Sequence, residues 1–435
     1  MARPVPKTEA PEWKEPAAPD SLTLHLRLIT PLFGGGYEAR EVDPVCIIRP
    51  AAVRGHLRFW WRALYGGQYA SAKELFEAEA AIWGAAATEH KDWAGKVGLR
   101  VTLIQKGCSQ PCACFEWDEQ RRRYRSIPRF RQGYPPYALY PFQGELSDKG
   151  RTIKQSPATA YEGVEFVLIL TFPAEIREEV LSAVTAWVRY GGIGARTRRG
   201  CGSLAVVQTD MTLRIASFAD FHMPRNDRIA LLPGSQYVLG APCKSAIEAW
   251  QQAVQVYQTF RQGHGFARRP PREGNRPGRS FYPEPDSIRR MTGRYAVEHR
   301  PEHPVQKGFP RADLGLPIVF QFKDDGDPPN AVLHSAKERH LRMASPVITK
   351  PLATQDGLYR PLVMVLNAPH AWQQDGLVLE VEGFNKALPI GEELVNLSTA
   401  ELKLIKPLAG KPIRDALLQF VSKQWGNAPI QGWKP

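Results

Sequence analysis

The chain has 435 residues, 43% hydrophobic and 23% charged, the balance of a globular protein with room for two or three domain cores rather than of a disordered or fibrous one. No apolar run approaches the ~20 residues of a membrane span, and six cysteines in so long a chain with no secretion signal point to reduced thiols, not a disulfide framework. A net charge of +13 favours a polyanionic partner, and arginines interleaved with aromatics favour nucleic acid over a membrane surface or an acidic protein.

Residues 1–19 carry five prolines and no apolar signal segment, which predicts a disordered arm and a cytoplasmic location. Leu22, Leu24, Leu26 and Leu28 alternate with Thr23, His25 and Arg27, the pattern of a half-buried strand. It runs into Thr30-Pro31-Leu32-Phe33-Gly34-Gly35-Gly36, a loop that exposes backbone. Pro50 suits the first turn of a helix over 51–65, with Val53, Leu57, Trp60 and Leu64 as its inward stripe. Arg54, Arg58 and Arg62 recur every four residues on another face, and a second helix follows with Leu75, Phe76, Ile82 and Trp83 inward.

Strands are predicted over 97–105 and 163–172, and an amphipathic helix over 175–190 with Ile176, Val180, Val184 and Trp187 inward. Next comes Gly191-Gly192-Ile193-Gly194-Ala195-Arg196-Thr197-Arg198-Arg199-Gly200-Cys201-Gly202-Ser203-Leu204, in which five glycines and three arginines share fourteen positions. Free loop amides can form an anion-binding concavity, and guanidinium groups match phosphate geometry. Arg196, Arg198 and Arg199 are therefore the primary predicted phosphate ligands, helped by the amides of Gly192 and Gly194. The segment lacks a terminal Gly-Lys-Ser/Thr, so it is not a nucleoside-triphosphate loop.

The second half carries a helix over 245–260 and β-like runs at 316–322, 331–334, 345–351, 359–366 and 377–382, with a helical tail over 399–425. Residues 261–300 hold ten arginines, four acids, five prolines and five glycines with little apolar periodicity, which predicts a long mobile basic insertion. The expected fold is α+β: two ferredoxin-like domains with insertions, spanning 20–210 and 211–435.

Three blocks resemble one family: residues 29–36; Ile48-Arg49-Pro50-Ala51-Ala52-Val53-Arg54-Gly55-His56-Leu57-Arg58-Phe59-Trp60-Trp61-Arg62-Ala63; and the glycine–arginine loop. In this order they are similar to the RAMP superfamily of CRISPR proteins, most like the first subunit of the type III-B (Cmr) effector complex. Leu314-Gly315-Leu316-Pro317-Ile318 and Arg342-Met343-Ala344-Ser345-Pro346 extend the resemblance into the second half. The resemblance implies domains related to RNA-recognition folds and a place in an antiviral ribonucleoprotein. It also implies contact with CRISPR RNA near its 3′ region or with the guide–target RNA duplex, and partners among the other Cmr subunits. It brings no catalytic residue and no cofactor.

Arg49, Arg54, Arg58 and Arg62 are expected to contact RNA, because acidic partners at i, i+4 are missing; Arg62 is the one expected to pair internally. Trp60 falls on the core stripe, while Trp61, Gly35, Gly36 and Arg342 are further candidate RNA contacts, with Tyr37 and Phe33 as weaker stacking candidates. His25 and His56 suit a metal-independent ribonuclease in principle, but a structural role is the simpler reading. Cys108, Cys112 and Cys114 lack a matching pair at zinc-site spacing. Asp324-Asp325-Gly326-Asp327 reads as a hairpin turn, not a metal loop. The function expected is thus a non-catalytic RNA-binding subunit with no metal. The alternatives are an RNA-processing endoribonuclease of the same superfamily and a purely structural capping subunit.

Overall fold

The computed structural model describes the chain except residues 1–18, 39, 88–92, 128–132, 217–227, 271–277, 338–341, 374–375 and 435; the predicted arm therefore lies almost wholly outside the described residues. The first unit is β1 (Asp20–Leu28), α1 (Pro50–Tyr65), α2 (Ala72–Trp83), β2 (Gly98–Gln105), β3 (Glu165–Phe172), α3 (Arg177–Tyr190) and β4 (Leu204–Thr209). Its antiparallel sheet has the order β4-β1-β3-β2. That is the β-α-β-β-α-β arrangement of a ferredoxin-like fold, with α2 and several hairpins inserted.

Alternation does the work that the sequence implies. Leu22, Leu24, Leu26 and Leu28 of β1 and Phe166, Leu168, Leu170 and Phe172 of β3 are buried, and Val53, Leu57, Trp60, Val180, Val184 and Trp187 of the two helices close over them. Each such side chain contributes roughly 1.5–3 kcal/mol on leaving water. In α2 the sequence reading fails at one position: Phe76 is exposed, held edge-on to Trp93, while Leu75, Ile82 and Trp83 are buried.

The second unit is β5 (Leu231–Leu239), α4 (Ala246–Gln262), α5 (Glu284–Thr292), β6 (Ile318–Phe320), β7 (Ala331–Ser335), β8 (Val347–Ala353), β9 (Tyr359–Asn367), β10 (Leu377–Val381), β11 (Leu388–Ile390), α6 (Thr399–Leu404), α7 (Ile413–Gln424) and β12 (Gln431–Gly432). The β-like runs of the sequence divide between two sheets. One, ordered β8-β9-β5-β12, repeats the ferredoxin-like topology; the other, β6-β7-β10-β11, belongs to an inserted module with its own core around Phe309, Leu333 and Leu379.

The β8-β9-β5-β12 sheet is covered on both faces. Ile348, Leu362 and Met364 join the core of α1 and α3, whereas Val347, Val363 and Val365 pack under α4 and α7. The layers therefore run sheet, helices, sheet, helices, with the second sheet resting on the first unit's helices. No helix among the described residues is long and apolar enough to cross a membrane.

The predicted mobile insertion over 261–300 is corrected over its described part. Residues 278–300 include α5, with Tyr282, Glu284, Ser287 and Ile288 at most 1% exposed. Three of its five arginines are held in place: Arg279 by Asp286, Arg289 by Asp286 and Asp327, and Arg290 by the carbonyls of His303, Val305 and Gln306. The segment lacks apolar periodicity because ion pairs and carbonyl contacts, not a hydrophobic stripe, fix it.

Candidate nucleic-acid interface

The glycine–arginine loop lies where the two units meet. Its amides answer carbonyls of the neighbouring 30–36 loop and of the loop itself: Ile193 N to Gly202 O (2.9 Å), Ala195 N to Phe33 O (2.7 Å) and Gly202 N to Pro31 O (2.8 Å). Gly202 has φ +62°, and a Cβ there would stand 1.9 Å from the Ile193 carbonyl oxygen. Gly192 is buried, and a Cβ on it would meet Gly202 O at 2.7 Å. The close backbone approach that glycine permits is thus to the chain's own backbone. Gly192 is consequently no surface for a phosphate, which corrects its sequence assignment; Gly194 is half-buried against Leu32 and Phe33.

Arg196 takes the left-handed conformation (φ 57°) and its Nε donates to Ala138 O at 2.7 Å. Arg198 donates to Ser345 O and stands 5.6 Å from the Phe59 ring centroid. Arg199 reaches Val347 O (2.6 Å), Ser345 Oγ (3.0 Å) and the Tyr257 hydroxyl (3.3 Å), while its own carbonyl accepts from Trp250 Nε1 (2.6 Å). Arg199 is therefore largely a tie between units, being 9% exposed.

Around these side chains opens a cleft of about 730 Å³. Arg261, at the end of α4, supplies its fourth guanidinium. Other walls come from Tyr137, Tyr140, Leu314–Pro317 and Met343–Ser345. Blocks singled out separately in the sequence thus converge here: the loop, residues 314–317 and residues 343–345. Arg342 is exposed next to the last of these.

Among the described residues, four guanidinium groups line this cleft and no carboxylate does. Among the described residues none of the four forms an ion pair; their acceptors are carbonyls and hydroxyls. Burial and the neighbouring Arg199 pull the Arg198 pKa down to about 10, so it stays charged at neutral pH. Burial lowers Arg196 as well, and Arg199 adds to the effect. Burial would raise the Tyr257 phenol, but Arg261 and Arg199 override it and hold it below its ordinary value. A concentrated, uncompensated positive field of this kind favours anions.

The arginines of α1 are arranged otherwise. Arg58 and Arg62 both pair with Glu79 of α2, and Arg54 donates to Trp83 O (3.0 Å) and Val97 O (3.1 Å). The acid absent at i, i+4 comes from the next helix, so the expectation of free RNA-facing cations is corrected for Arg54 and Arg58, while Arg62 pairs internally as its place near the helix end implied. Arg49 is half-buried at the helix N-cap, close enough to Asp43 to lower that carboxyl, whose larger shift comes from the Cys46 and Val45 amides.

Trp61 is fully buried and its Nε1 donates to Glu179 Oε2 at 2.6 Å, which removes it as a stacking platform; Trp60 is in the core, as its spacing implies. Phe33 is also buried, stacked on Phe142 with centroids 4.2 Å apart. Tyr37 is 96% exposed and Gly35 is exposed, whereas Gly36 is tied to Glu41 O. His25 faces away from the leucines and lies 2.9 Å from Glu165 Oε2. His56 is on α1, across the sheet from His25, and burial lowers its pKa to about 4.

Cys112 is buried with its thiol on Phe142 O, and burial raises its pKa to about 11, opposite to the thiolate a zinc site needs. The Asp324–Asp327 turn does connect β6 to β7. It brings Asp324, Asp327 and His299 within 4.8 Å of one another, but Arg289 holds Asp327 through two contacts of 3.0 Å and answers its charge.

Residues 25–205 match the RAMP superfamily model. A Cmr subunit of the CRISPR system of Pyrococcus furiosus, Cmr1-2, is 30% identical over 188 residues, which are 42% of this chain and 92% of that protein. This chain belongs to the RAMP superfamily. The crystal structure of Cmr1 from Pyrococcus furiosus superposes with a TM-score of 0.44 at 15% identity, over 95% of this chain and 100% of that one. A subunit in the cryo-EM structure of a type III-B Cmr-beta complex bound to cognate target RNA gives 0.43 at 11% identity, over 93% and 99%. In this RAMP chain the matched region ends just past the glycine–arginine loop and includes Tyr137 and Tyr140, while the walls from Arg261, Leu314–Pro317 and Met343–Ser345 lie beyond it.

Proposed function

We propose that this RAMP protein is a non-catalytic RNA-binding subunit of a type III-B CRISPR ribonucleoprotein effector, cytoplasmic and engaged in antiviral defence. Its partners would be CRISPR RNA, target RNA and the other Cmr subunits. The observation that carries the reading is the cleft lined, among the described residues, by four guanidinium groups and no carboxylate. Phosphodiesters supply the missing negative charge, Arg196, Arg198 and Arg261 offer planar donors to it, and Arg199 adds field from behind. Sequence discrimination is then left to base pairing between guide and target. The division into domains at about residue 210 is part of the same proposal. Family membership and the 30% identical relative, itself a Cmr subunit, support the assembly context.

The ribonuclease alternative draws no support from the two histidines named for it. His25 and His56 lie on opposite sides of the first sheet, so they cannot act together on one phosphodiester. The capping alternative differs in its salt response. RNA binding is to be measured at several salt concentrations for the wild type and for Arg196→Ala/Arg198→Ala. The proposal expects an affinity loss of about 10²-fold and a salt slope smaller by about 0.7 per contact removed on single-stranded RNA. Unchanged affinity and slope would leave the capping role standing instead.

A further inference from the structure

The cleft does not end at the loop. Tyr137, Tyr140, Arg261, Gln262 and Pro317 line it and also line a second cleft of about 790 Å³ on their other side. Both volumes lie in the range that encloses a single small ligand, about 300–1,000 Å³. They suit individual unpaired nucleotides and not a double helix.

The second cleft differs from the first in charge. Arg279 is held by Asp286 and Glu302, Arg289 by Asp286 and Asp327, and Arg311 by Glu284. Among the arginines that line this cleft alone, and not the first as Arg261 does, Arg268 is the exception: among the described residues its side chain has no ionic partner, and its Nε is buried without an acceptor. One uncompensated guanidinium fits one phosphate.

Between the clefts stands Tyr140, 73% exposed. It projects from a short turn whose neighbours are fixed: Leu139 is buried, Phe142 is stacked on Phe33, and Tyr137 meets Tyr257 edge-on with centroids 6.2 Å apart. An exposed aromatic on a rigid mount, between two arginine-lined hollows, is the arrangement on which a nucleobase stacks.

We infer that the two clefts form one path for unpaired RNA, with successive phosphates over Arg196, Arg198 and Arg261, a base stacked on Tyr140, and the next phosphate at Arg268. This rests on the RNA-binding reading above and adds the strand state of the ligand and its direction across the protein. The full chain is to be titrated with a short fluorescent oligouridylate and, separately, with the duplex that strand forms with oligoadenylate. Tyr140→Ala weakens binding of the unpaired strand about tenfold without altering the salt slope, and Tyr140→Trp restores it. Arg268→Gln lowers that slope by about 0.7. Neither change affects the duplex. If Tyr140→Ala binds oligouridylate like the wild type, or loses duplex to the same extent, the path is overturned. In that event a loss with Arg196→Ala/Arg198→Ala would still uphold the phosphate cleft, whereas no loss there would remove the RNA reading itself.

Discussion

Two arginine groups in this chain look alike on paper and are opposites in the folded protein. Arg54, Arg58 and Arg62 face α2 and the segment after it, where Glu79 (its side chain 5% exposed) and three carbonyls accept them. Arg196, Arg198, Arg199 and Arg261 converge from a loop and a helix end on a cleft with no carboxylate among the described residues. The number of cations is similar; the difference lies in where the nearest acid sits. A basic motif becomes a candidate binding surface only when its positive charge is left uncompensated by the fold.

The comparison breaks most visibly at Glu79. Glu79→Ala leaves two guanidinium groups facing a buried space without their counter-ion, and is expected to cost about 3 kcal/mol of stability, seen as a fall in the denaturation midpoint, with RNA affinity unchanged. The converse change, Arg196→Ala/Arg198→Ala, is expected to lower RNA affinity about 10²-fold while moving the denaturation midpoint little. Equal effects of both variants on RNA binding would erase the distinction.

A smaller effect concerns the junction between units. Lys350 is fully buried, its Nζ donates to Gly191 O (2.6 Å) at the end of α3, and burial lowers its pKa to about 7. The unfolded value is about 10.4. Between about pH 7 and pH 10 the unfolded chain binds the extra proton, so this group makes stability rise with pH across that window and holds it at its lowest below. Lys350→Met is expected to flatten that rise in a series of midpoints from pH 7 to 9. A rise as steep as the wild type's would mean that Lys350 stays protonated in place.

The finest test uses the sheet's open face. His25→Ala, which removes the contact with Glu165, is expected to leave RNA affinity within about twofold and stability within about 1 kcal/mol, as for a half-exposed ion pair. Metal-independent RNA cleavage lost on this substitution would instead revive the ribonuclease alternative.

The first ferredoxin-like sheet was legible because its strands and helices carry strong periodicity: the leucines of β1 and the Val53–Leu64 stripe of α1 declare their faces directly. Of the second, β8 and β9 were legible as β-like runs, but β5 and β12 were not. The loop arginines were legible from composition, and residues 314–318 and 342–346 only through the family resemblance. What stayed hidden depends on contacts between distant segments. Glu79 is too far from Arg58 for helical spacing to link them, and Arg261 sits at the end of an ordinary amphipathic helix. Tyr140 lies in a proline-rich stretch with no period. The third sheet was hidden for another reason: β6, β7 and β10 resemble β8 and β9 locally, and only pairing separates them. The ordered 278–300 segment escaped notice because polar contacts leave no hydrophobic signature.

The layered core has one more consequence. Since the second sheet rests on the helices of the first and is covered again on its far side, the cleft walls contributed by both halves cannot swing apart without opening a hydrophobic interior. A ligand would therefore find the arginines already at their working separation. Little conformational entropy would be lost on association, and the interface would behave as a fixed mould rather than a closing jaw.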